Sequence, residues 1–369
     1  IMKILFFYSR MDLGGIQSAF YNRIKALNRL GITSHILFYR QGPALDTYQD
    51  IRMFVTSDGN EITEIIRENR YDCLVWINQT AYLREWMENN QTGGNKCKVM
   101  LEIRGMDYYT YHLLANEIRS ALIPIDAIVT PAEHLTEKVR HMIGNKYPVK
   151  TIPNCIDAEL FSTNNDCAEQ RDLVPHPING RKVLCWIGRL DSNKNWIEYL
   201  QILSSLLSRD KNWEGWVISQ FHISSQISFF RKACMQLSLK ENLRTFDSVP
   251  YKYMPCIYSG LRNAGGILLS TSKSEGCPNV ILEAMSCGCL ILSADNDAAR
   301  EILTDRTGFL YKSGSTAEAV STIQNMTHLD GNSIFGIREA QRRYICKNHD
   351  YGSVSEKYKD LLETLIKEH

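Results

Sequence analysis

The chain has 369 residues, which exceeds one typical domain core and is long enough for two ordinary α/β domains. Hydrophobic residues make up 44% and charged residues 22% of the sequence, as in ordinary globular proteins. The net charge of +1 excludes a global field that selects nucleic acid or an anionic membrane, and no apolar run approaches the roughly 18 residues that span a bilayer.

The 11 cysteines are scattered along the chain, and the one close pair, Cys287 and Cys289, does not have zinc-ligand spacing. We therefore expect reduced, mostly buried thiols and a cytoplasmic protein. The first ten residues carry an apolar segment that is too short for a signal peptide and is typical of a first strand.

The first half of the chain alternates short apolar runs with segments of helical periodicity. Such alternation predicts a doubly wound parallel sheet, whose ligands bind at the carboxyl ends of the strands. The predicted strands are 3–8, 34–39, 73–77, 99–103 and 127–130, and the predicted helices are 16–30, 61–69, 81–89 and 111–122.

Two glycines, Gly14 and Gly15, lie between the first predicted strand and the first predicted helix. At such a turn the backbone can approach a phosphate or a sugar. Taken by itself, the pair is better explained as a plain tight turn, because no full Gly-x-Gly-x-x-Gly motif is present.

Arg104-Gly-Met-Asp107 follows the strand predicted at 99–103 and is a second candidate ligand position. The guanidinium of Arg104 is permanently charged, so it cannot act as a base but could hold a phosphate, an acidic sugar or an acidic acceptor. An ion pair with Glu102 or Asp107 is an equally good interpretation.

A modest basic stretch lies near the end of the first half of the chain. It could contact a membrane surface or a lipid-linked acceptor, but a solvated helix face is the favoured interpretation because Glu133 and Glu137 dilute its charge. Its cations are Lys138, Arg140, Lys146 and Lys150.

The polar segment at 162–181 contains two prolines and suits a connection between domains. Beyond it the alternation of strands and helices resumes. The predicted strands are 183–187, 216–219, 243–247, 266–269 and one starting at 290, and the predicted helices are 196–207, 229–237, 278–287, 316–326, 334–348 and 351–367.

Gly188-Arg189-Leu-Asp-Ser-Asn-Lys194 follows the strand at 183–187. Two cations at a strand end can neutralise a diphosphate in a cleft. Considered alone, such a pair is more often surface charge.

The stretch from Ser270 to Ala294 has the pattern strand, loop, helix, strand, with Pro278 at the first helical position and Gly288 as a left-handed C-cap. The backbone N–H groups of 276–280 predict an anion site, which Glu275 and Glu283 flank. This arrangement suits a nucleotide sugar, although a capped helix with a solvated glutamate explains either carboxylate alone. Asp295-Asn-Asp297 is interpreted as a strand-to-helix loop, and we expect no bound metal.

Glu275 and Glu283, with Glu-Gly-Cys-Pro-Asn between strand and helix and Ala-Met-Ser-Cys-Gly afterwards, resemble the donor-site signature of retaining glycosyltransferases of family 4. The resemblance implies the GT-B fold, an α/β architecture of two Rossmann-like doubly wound parallel-sheet domains facing a central cleft. The implied divisions are an acceptor-side domain at 1–165, a nucleotide-sugar donor domain at 180–348, and a C-terminal helix at 349–369 that packs back on the first domain.

The resemblance also implies roles for particular residues. Arg189 and Lys194 would clamp the diphosphate, Glu275 would orient donor-sugar hydroxyls, and these three are the implied catalytic residues. Glu283 would hold the ribose. Arg104 replaces the family's usual histidine, and this departure leaves its role open. The implied donor-binding residues are Gly14, Gly15, Gly188, Val249, Gly276, Cys277, Pro278, Asn279, Val280 and Glu283, with Arg104, Asp107 and Asn154 on the acceptor or sugar side.

The activity implied is a retaining, metal-independent transfer of a sugar from a nucleotide-diphosphate donor, UDP favoured over GDP, to a hydroxyl of a glycan or lipid-linked acceptor. Bacterial surface polysaccharide, lipopolysaccharide or cell-wall glycan synthesis is the expected setting, at the inner face of the membrane and without a cofactor or nucleic acid. A GT-B partner subunit without catalysis and a nucleotide-sugar epimerase are the alternatives. The oligomeric state is not indicated.

Overall fold

A computed structural model describes residues 2–11, 14–42, 48, 50–78, 86, 97–105, 116, 118, 125–164, 167 and 174–367. The chain forms two compact units, Ile1–Ile156 with Asn348–His369 and Asp157–Lys347. Among the described residues, no helix combines the length and the apolar character that crossing a bilayer requires.

Each unit is built from one parallel sheet and the helices that cover it. The strands are β1 Lys3–Arg10, β2 Thr33–Arg40, β3 Met53–Val55, β4 Cys73–Ile77, β5 Lys98–Glu102, β6 Ala127–Thr130, β7 Val149–Thr151, β8 Lys182–Ile187, β9 Trp213–Ser219, β10 Leu243–Asp247, β11 Ile267–Ser270, β12 Leu290–Ala294 and β13 Phe309–Tyr311. The helices are α1 Gly15–Arg29, α2 Gly59–Asn69, α3 Glu133–Ile143, α4 Trp196–Arg209, α5 Ile227–Gln236, α6 Met254–Asn263, α7 Asn279–Ser286, α8 Asp297–Ile302, α9 Thr316–Met326, α10 Gly331–Asn348 and α11 Tyr351–Lys367.

In the first unit the strand order is β3-β2-β1-β4-β5-β6-β7, and every neighbouring pair is parallel. Side chains of β1 alternate between two apolar layers, as strand geometry requires. Phe6 joins a cluster with α1 and α11, whereas Phe7 joins a second cluster with α2 and α3. Tyr351 of α11 donates to Asn22 of α1 over 2.7 Å, so the last helix is part of this unit.

In the second unit the order is β10-β9-β8-β11-β12-β13, again parallel throughout. The two Rossmann-like sheets confirm the predicted α/β fold class. β8 and β11 are adjacent at the centre, with Leu184 opposite Ile267. Because parallel strands end at the same edge, the loops that follow β8 and β11 are brought together there.

The predicted elements are confirmed to within a few residues wherever the structure describes them, but six of the strands and α-helices given above had no predicted bounds. Three of these are the three-residue strands β3, β7 and β13, which are too short to give a periodic signal. The fourth is α6, whose residues gave no clear pattern because nearly the whole helix is buried. The other two are α3 and the six-residue α8. The helices predicted at 81–89 and 111–122 lie almost entirely outside the described residues.

The expectation that all thiols are reduced was wrong for one pair, because Cys167 and Cys256 form a disulfide. They are 89 residues apart in sequence, so spacing gave no indication of their proximity. Thiols elsewhere follow the expectation: burial raises the pKa of Cys73 and of Cys185 well above its usual value.

Candidate functional site

The candidate site lies at the carboxyl edge of the second sheet, where two loops are joined by hydrogen bonds. The backbone N–H of Lys273 donates to the carbonyl of Asn193 over 2.9 Å, and the Asn193 side chain donates to the carbonyl of Ser274 over 2.9 Å. Thr271 Oγ1 donates to the carbonyl of Lys194 over 2.7 Å. The loops after β8 and β11, which the sequence predicted separately, therefore form one structural element.

Lys194 and Glu275 meet within this joined pair of loops. The ammonium Nζ of Lys194 lies 2.5 Å from Oε1 of Glu275, and both side chains are largely but not fully buried. The backbone N–H of Lys194 donates to Asp191 over 2.8 Å, which fixes the start of the side chain. The structure thus brings together two of the three residues to which the sequence assigned a catalytic role.

Gly188 makes room for this lysine. A Cβ built on Gly188 would lie 3.2 Å from the indole of Trp186 and 3.5 Å from Cδ of Lys194. The missing side chain lets the lysine stem pass along the turn after β8. A larger residue would displace Lys194 or the indole, so the requirement for glycine is steric.

Arg189, the third predicted catalytic residue, is placed differently. Its guanidinium pairs with Oδ2 of Asp191 over 3.2 Å, and its side chain is 71% exposed. Exposed ion pairs contribute little stability, so this side chain can leave Asp191 at small energetic cost. Asp191 was not singled out in the sequence, yet it contacts both cationic residues of the loop.

The first turn of α7 follows the loop that carries Glu275. The helix begins at Asn279, with Pro278 in the N-cap position rather than the first helical position. Gly276, Cys277 and Val280 surround this turn, whose first N–H groups have no intrahelical acceptor and favour an anion. At the other end Gly288 has φ +72, which confirms the predicted left-handed residue.

Glu283 lies one turn further along α7 and is only 3% exposed. The hydroxyl of Tyr258, on α6, donates to its Oε2 over 2.8 Å, and Tyr251 provides a second hydrogen bond. Burial raises the pKa of the Glu283 carboxyl to about 8, although both tyrosines act to lower it. The two tyrosines are functional candidates that the sequence did not reveal, since α6 gave no interpretable motif.

Val249, the predicted base-site residue, lies just after β10, at the same edge of the sheet. The preceding Ser248 has φ +51 and donates its N–H to the carbonyl of Ser219 over 2.9 Å. Asp247 accepts from the Ser248 hydroxyl over 2.9 Å and faces Nδ1 of His222 at 3.3 Å. This turn therefore presents a carboxylate and an imidazole to solvent beside Val249.

In the first unit, Arg104 and Asn154 are brought together, but both are buried. Arg104 pairs with Glu102 over 2.5 Å and donates to Oδ1 of Asn154 over 2.6 Å. The carboxylate of Glu102 also accepts from Tyr358 over 2.9 Å and lies 3.6 Å from Arg23. The ion pair with Glu102, one of the two interpretations of Arg104, is the one present.

The remaining predicted positions have simpler surroundings. Gly14 is the N-cap of α1, and its extended backbone is accessible to any residue. Gly15 is the first residue of that helix, and a Cβ there would meet nothing within 4 Å. Asp107 lies outside the described residues. Asp295 and Asp297 both pair with Arg300, at 2.6 Å and 3.6 Å, where the chain passes from β12 into α8.

Comparison with known proteins gives one family match and several structural matches. Residues 169–345 match the family model described as glycosyl transferases group 1. No curated protein sequence matches the chain significantly. The matched segment includes all of β8 to β13 and hence the site at the edge of the second sheet.

Solved glycosyltransferases align over nearly the whole chain. A glycosyltransferase from Rickettsia africae has a TM-score of 0.79 at 16% identity, covering 100% of this chain and 99% of its own. Anabaena Alr3699/HepE in complex with UDP and glucose has a TM-score of 0.79 at 16% identity, with coverages of 99% and 100%. Sucrose-phosphate synthase from Thermosynechococcus elongatus has a TM-score of 0.79 at 12% identity and covers both chains completely.

These matches establish the GT-B fold. Residues 169–345 match the glycosyl transferases group 1, and the whole chain shares its fold with solved glycosyltransferases.

Proposed function

We propose that the chain is a retaining, metal-independent glycosyltransferase that moves a sugar from a nucleotide-diphosphate donor to an acceptor hydroxyl. The observation that carries the proposal is the Lys194–Glu275 pair, 2.5 Å apart, directly before the first turn of α7. A cation, a carboxylate and a set of helix N–H groups then lie side by side. This combination suits a ligand in which a diphosphate adjoins a sugar.

Stabilisation of the leaving group is the main catalytic effect in this proposal. Lys194 has three N–H donors, so it can contact a phosphate oxygen while it remains bonded to Glu275. Arg189 can leave Asp191 and add a second positive charge. The diphosphate gains negative charge as its bond to the anomeric carbon breaks, and these groups together with the N–H groups of α7 oppose that charge.

The sugar and the ribose would be held by the two glutamate side chains. Glu275 has a second oxygen that can accept from donor-sugar hydroxyls, and Glu283, fixed by Tyr258, would accept from the ribose. The acceptor oxygen attacks the face of the anomeric carbon from which the diphosphate departs. The departing phosphate oxygen takes the acceptor proton, so no protein nucleophile is required and configuration is retained.

UDP is the favoured donor nucleotide over GDP. The complexes of Anabaena Alr3699/HepE with UDP and with UDP-glucose support this choice, because that protein shares the fold. We propose a glycan or lipid-linked acceptor, used in bacterial surface polysaccharide, lipopolysaccharide or cell-wall glycan synthesis on the cytoplasmic side. The buried thiols support a reducing compartment, whereas the Cys167–Cys256 disulfide argues against one.

Calorimetric titration of the protein with UDP tests the donor site. Lys194→Ala should weaken UDP binding by about tenfold or more, because a charge-assisted contact with the diphosphate is lost. Arg300→Ala is the control, since Arg300 is a cation of α8 that pairs with Asp295 and was assigned no role at the donor site. Equal UDP affinity in wild type and Lys194→Ala would refute the role of the lysine.

Hydrolysis of the donor in the absence of an acceptor separates catalysis from mere binding. A partner subunit without catalysis would bind UDP but release no sugar from UDP-sugars. An epimerase would instead convert one nucleotide sugar into another. A slow release of free sugar with retained configuration is the outcome that supports the proposal.

A further inference from the structure

The segment from Gly215 to Lys240, which spans most of β9, α5 and the turn after it, contains no acidic residue. Its cations are Arg231, Lys232 and Lys240, and the side chains of all three are exposed. The helix α5 itself carries Arg231 and Lys232 and no acidic residue, so its solvent face is positive, whereas Asp247 lies against His222 in the turn before the helix. Such a surface attracts anions within about 10 Å at ordinary ionic strength.

The same segment exposes large apolar side chains. Met235 and Phe229 are 69% and 68% exposed, the highest values for large hydrophobic residues in the part of the chain that the structure describes. Ile223, in the turn before α5, is 59% exposed. Single exposed apolar residues are common, but three within one short positive segment indicate a binding surface.

The helix α5 explains how these residues are arranged. Its inner face is apolar and packs on the core of the second unit through Phe230, Ile227 and Leu237. At about 100° per residue, Arg231, Met235, Lys232 and Phe229 occupy an arc of roughly 160° on the opposite side. Apolar and basic side chains thus alternate across the solvent face of α5.

We infer that the solvent face of α5, defined by Phe229, Arg231, Lys232 and Met235, docks on the surface of an anionic lipid bilayer. A helix that presents both apolar and basic side chains outward can bury the former at the headgroup boundary while the latter contact anionic lipid. The inference concerns a surface of the donor-binding unit and does not depend on the identity of the donor.

The charge of the α5 face favours an anionic bilayer over a second copy of the chain as its binding partner. A symmetric contact through this face would set Arg231 and Lys232 against the same cations of the other copy, and no acidic side chain in the segment would neutralise them. A nucleic acid would use the cations but would leave Phe229 and Met235 in water. An anionic bilayer satisfies both sets of side chains.

The basic stretch at 138–150 is a useful contrast. Arg140 pairs with Glu133 over 3.3 Å, and Lys146 donates to the carbonyl of Ile118 over 2.9 Å. No large hydrophobic residue between 133 and 150 is exposed. Because this stretch has positive charge but no exposed apolar side chains, we expect it to bind an anionic bilayer more weakly than the α5 face does, and only at low salt. It therefore provides the control for the α5 face.

Flotation of the full chain with vesicles tests the inference. The probes are vesicles of phosphatidylcholine with phosphatidylglycerol and vesicles of phosphatidylcholine alone. We expect binding to the first and little to the second. Arg231→Gln with Lys232→Gln should lower partitioning by about 30-fold, and Phe229→Ser with Met235→Ser by about tenfold or more.

Two control variants match these changes. Phe335→Ser removes an apolar side chain that is 66% exposed on α10, and Lys138→Gln with Lys150→Gln removes two exposed cations from the other unit. Both controls should bind anionic vesicles as the wild type does. An unchanged melting temperature in every variant shows that the exposed substitutions leave the fold intact.

Several results would overturn the inference. The wild-type protein could fail to float with anionic vesicles, or the α5 variants could bind these vesicles as strongly as wild type. The control variants could also lose as much vesicle binding as the α5 variants do. A dimer seen by light scattering in wild type but lost in Phe229→Ser with Met235→Ser would assign the face to a second copy. Selective loss of oligonucleotide binding in the arginine and lysine variant, without loss of vesicle binding, would assign it to nucleic acid.

Discussion

The substitution Glu283→Gln should stabilise the protein at neutral pH while it weakens the donor site. The carboxyl of Glu283 is buried, and burial raises its pKa from 4.5 to about 8. At pH 7 the folded protein therefore holds a proton on this group that the unfolded chain releases. Glutamine has nearly the same shape, carries no charge, and still accepts a hydrogen bond from Tyr258 through its amide oxygen.

The magnitude follows from proton linkage. One unit of difference between folded and unfolded pKa corresponds to about 1.4 kcal/mol, so burying Glu283 costs about 3 kcal/mol at pH 7 but about 1 kcal/mol at pH 5. Because the folded pKa is the higher one, the contribution of wild-type Glu283 to stability decreases as pH rises from the unfolded value to the folded value. The glutamine in Glu283→Gln does not titrate, so the free energy of unfolding of this variant exceeds that of wild type by an amount that grows with pH.

Urea and thermal unfolding of both proteins between pH 5 and pH 8 measures the effect. For a unit of this size, about 3 kcal/mol corresponds to roughly 10 °C in melting temperature. Glu241→Gln, at an exposed position, is the control and should change stability by less than about 0.5 kcal/mol at every pH. A difference between Glu283→Gln and wild type that does not vary with pH, or a less stable variant at pH 8, would refute the reasoning.

Two further predictions concern buried contacts outside the donor site. Arg104→Ala should destabilise the first unit by about 3 kcal/mol, because the buried Glu102 carboxylate loses its 2.5 Å ion pair and keeps only the longer contact with Arg23 and the hydrogen bond from Tyr358. Unchanged thermal stability with weaker acceptor binding would instead assign Arg104 to the substrate. Cys256→Ser should lower the free energy of unfolding by about 2 to 5 kcal/mol under oxidising conditions and leave it unchanged in excess dithiothreitol. Equal unfolding of wild type with and without the reductant would show that the disulfide does not form.

Local signals in the sequence were sufficient for most elements and for the candidate residues Lys194 and Glu275, which the structure brings into contact. The apolar runs at β1, β8 and β12 indicated buried strands, and the glycine after α7 indicated the left-handed conformation that the structure shows at Gly288. Strands that alternate with helices leave a parallel sheet as the one simple arrangement. From that arrangement it follows that the loops after β8 and β11 lie at one edge.

What the sequence could not provide was the pairing of side chains that are distant along the chain. Lys194 and Glu275 are 81 residues apart, and their contact depends on β8 and β11 being neighbours in the sheet. Tyr258 lies in a helix that the sequence did not reveal, so the burial of Glu283 beneath it could not be anticipated. The sequence by itself determined which loops and which charges were candidates for the site. Tertiary packing decided which of those charges are buried and what each one touches, because burial and hydrogen-bond partners come from residues brought close only by the folded sheet.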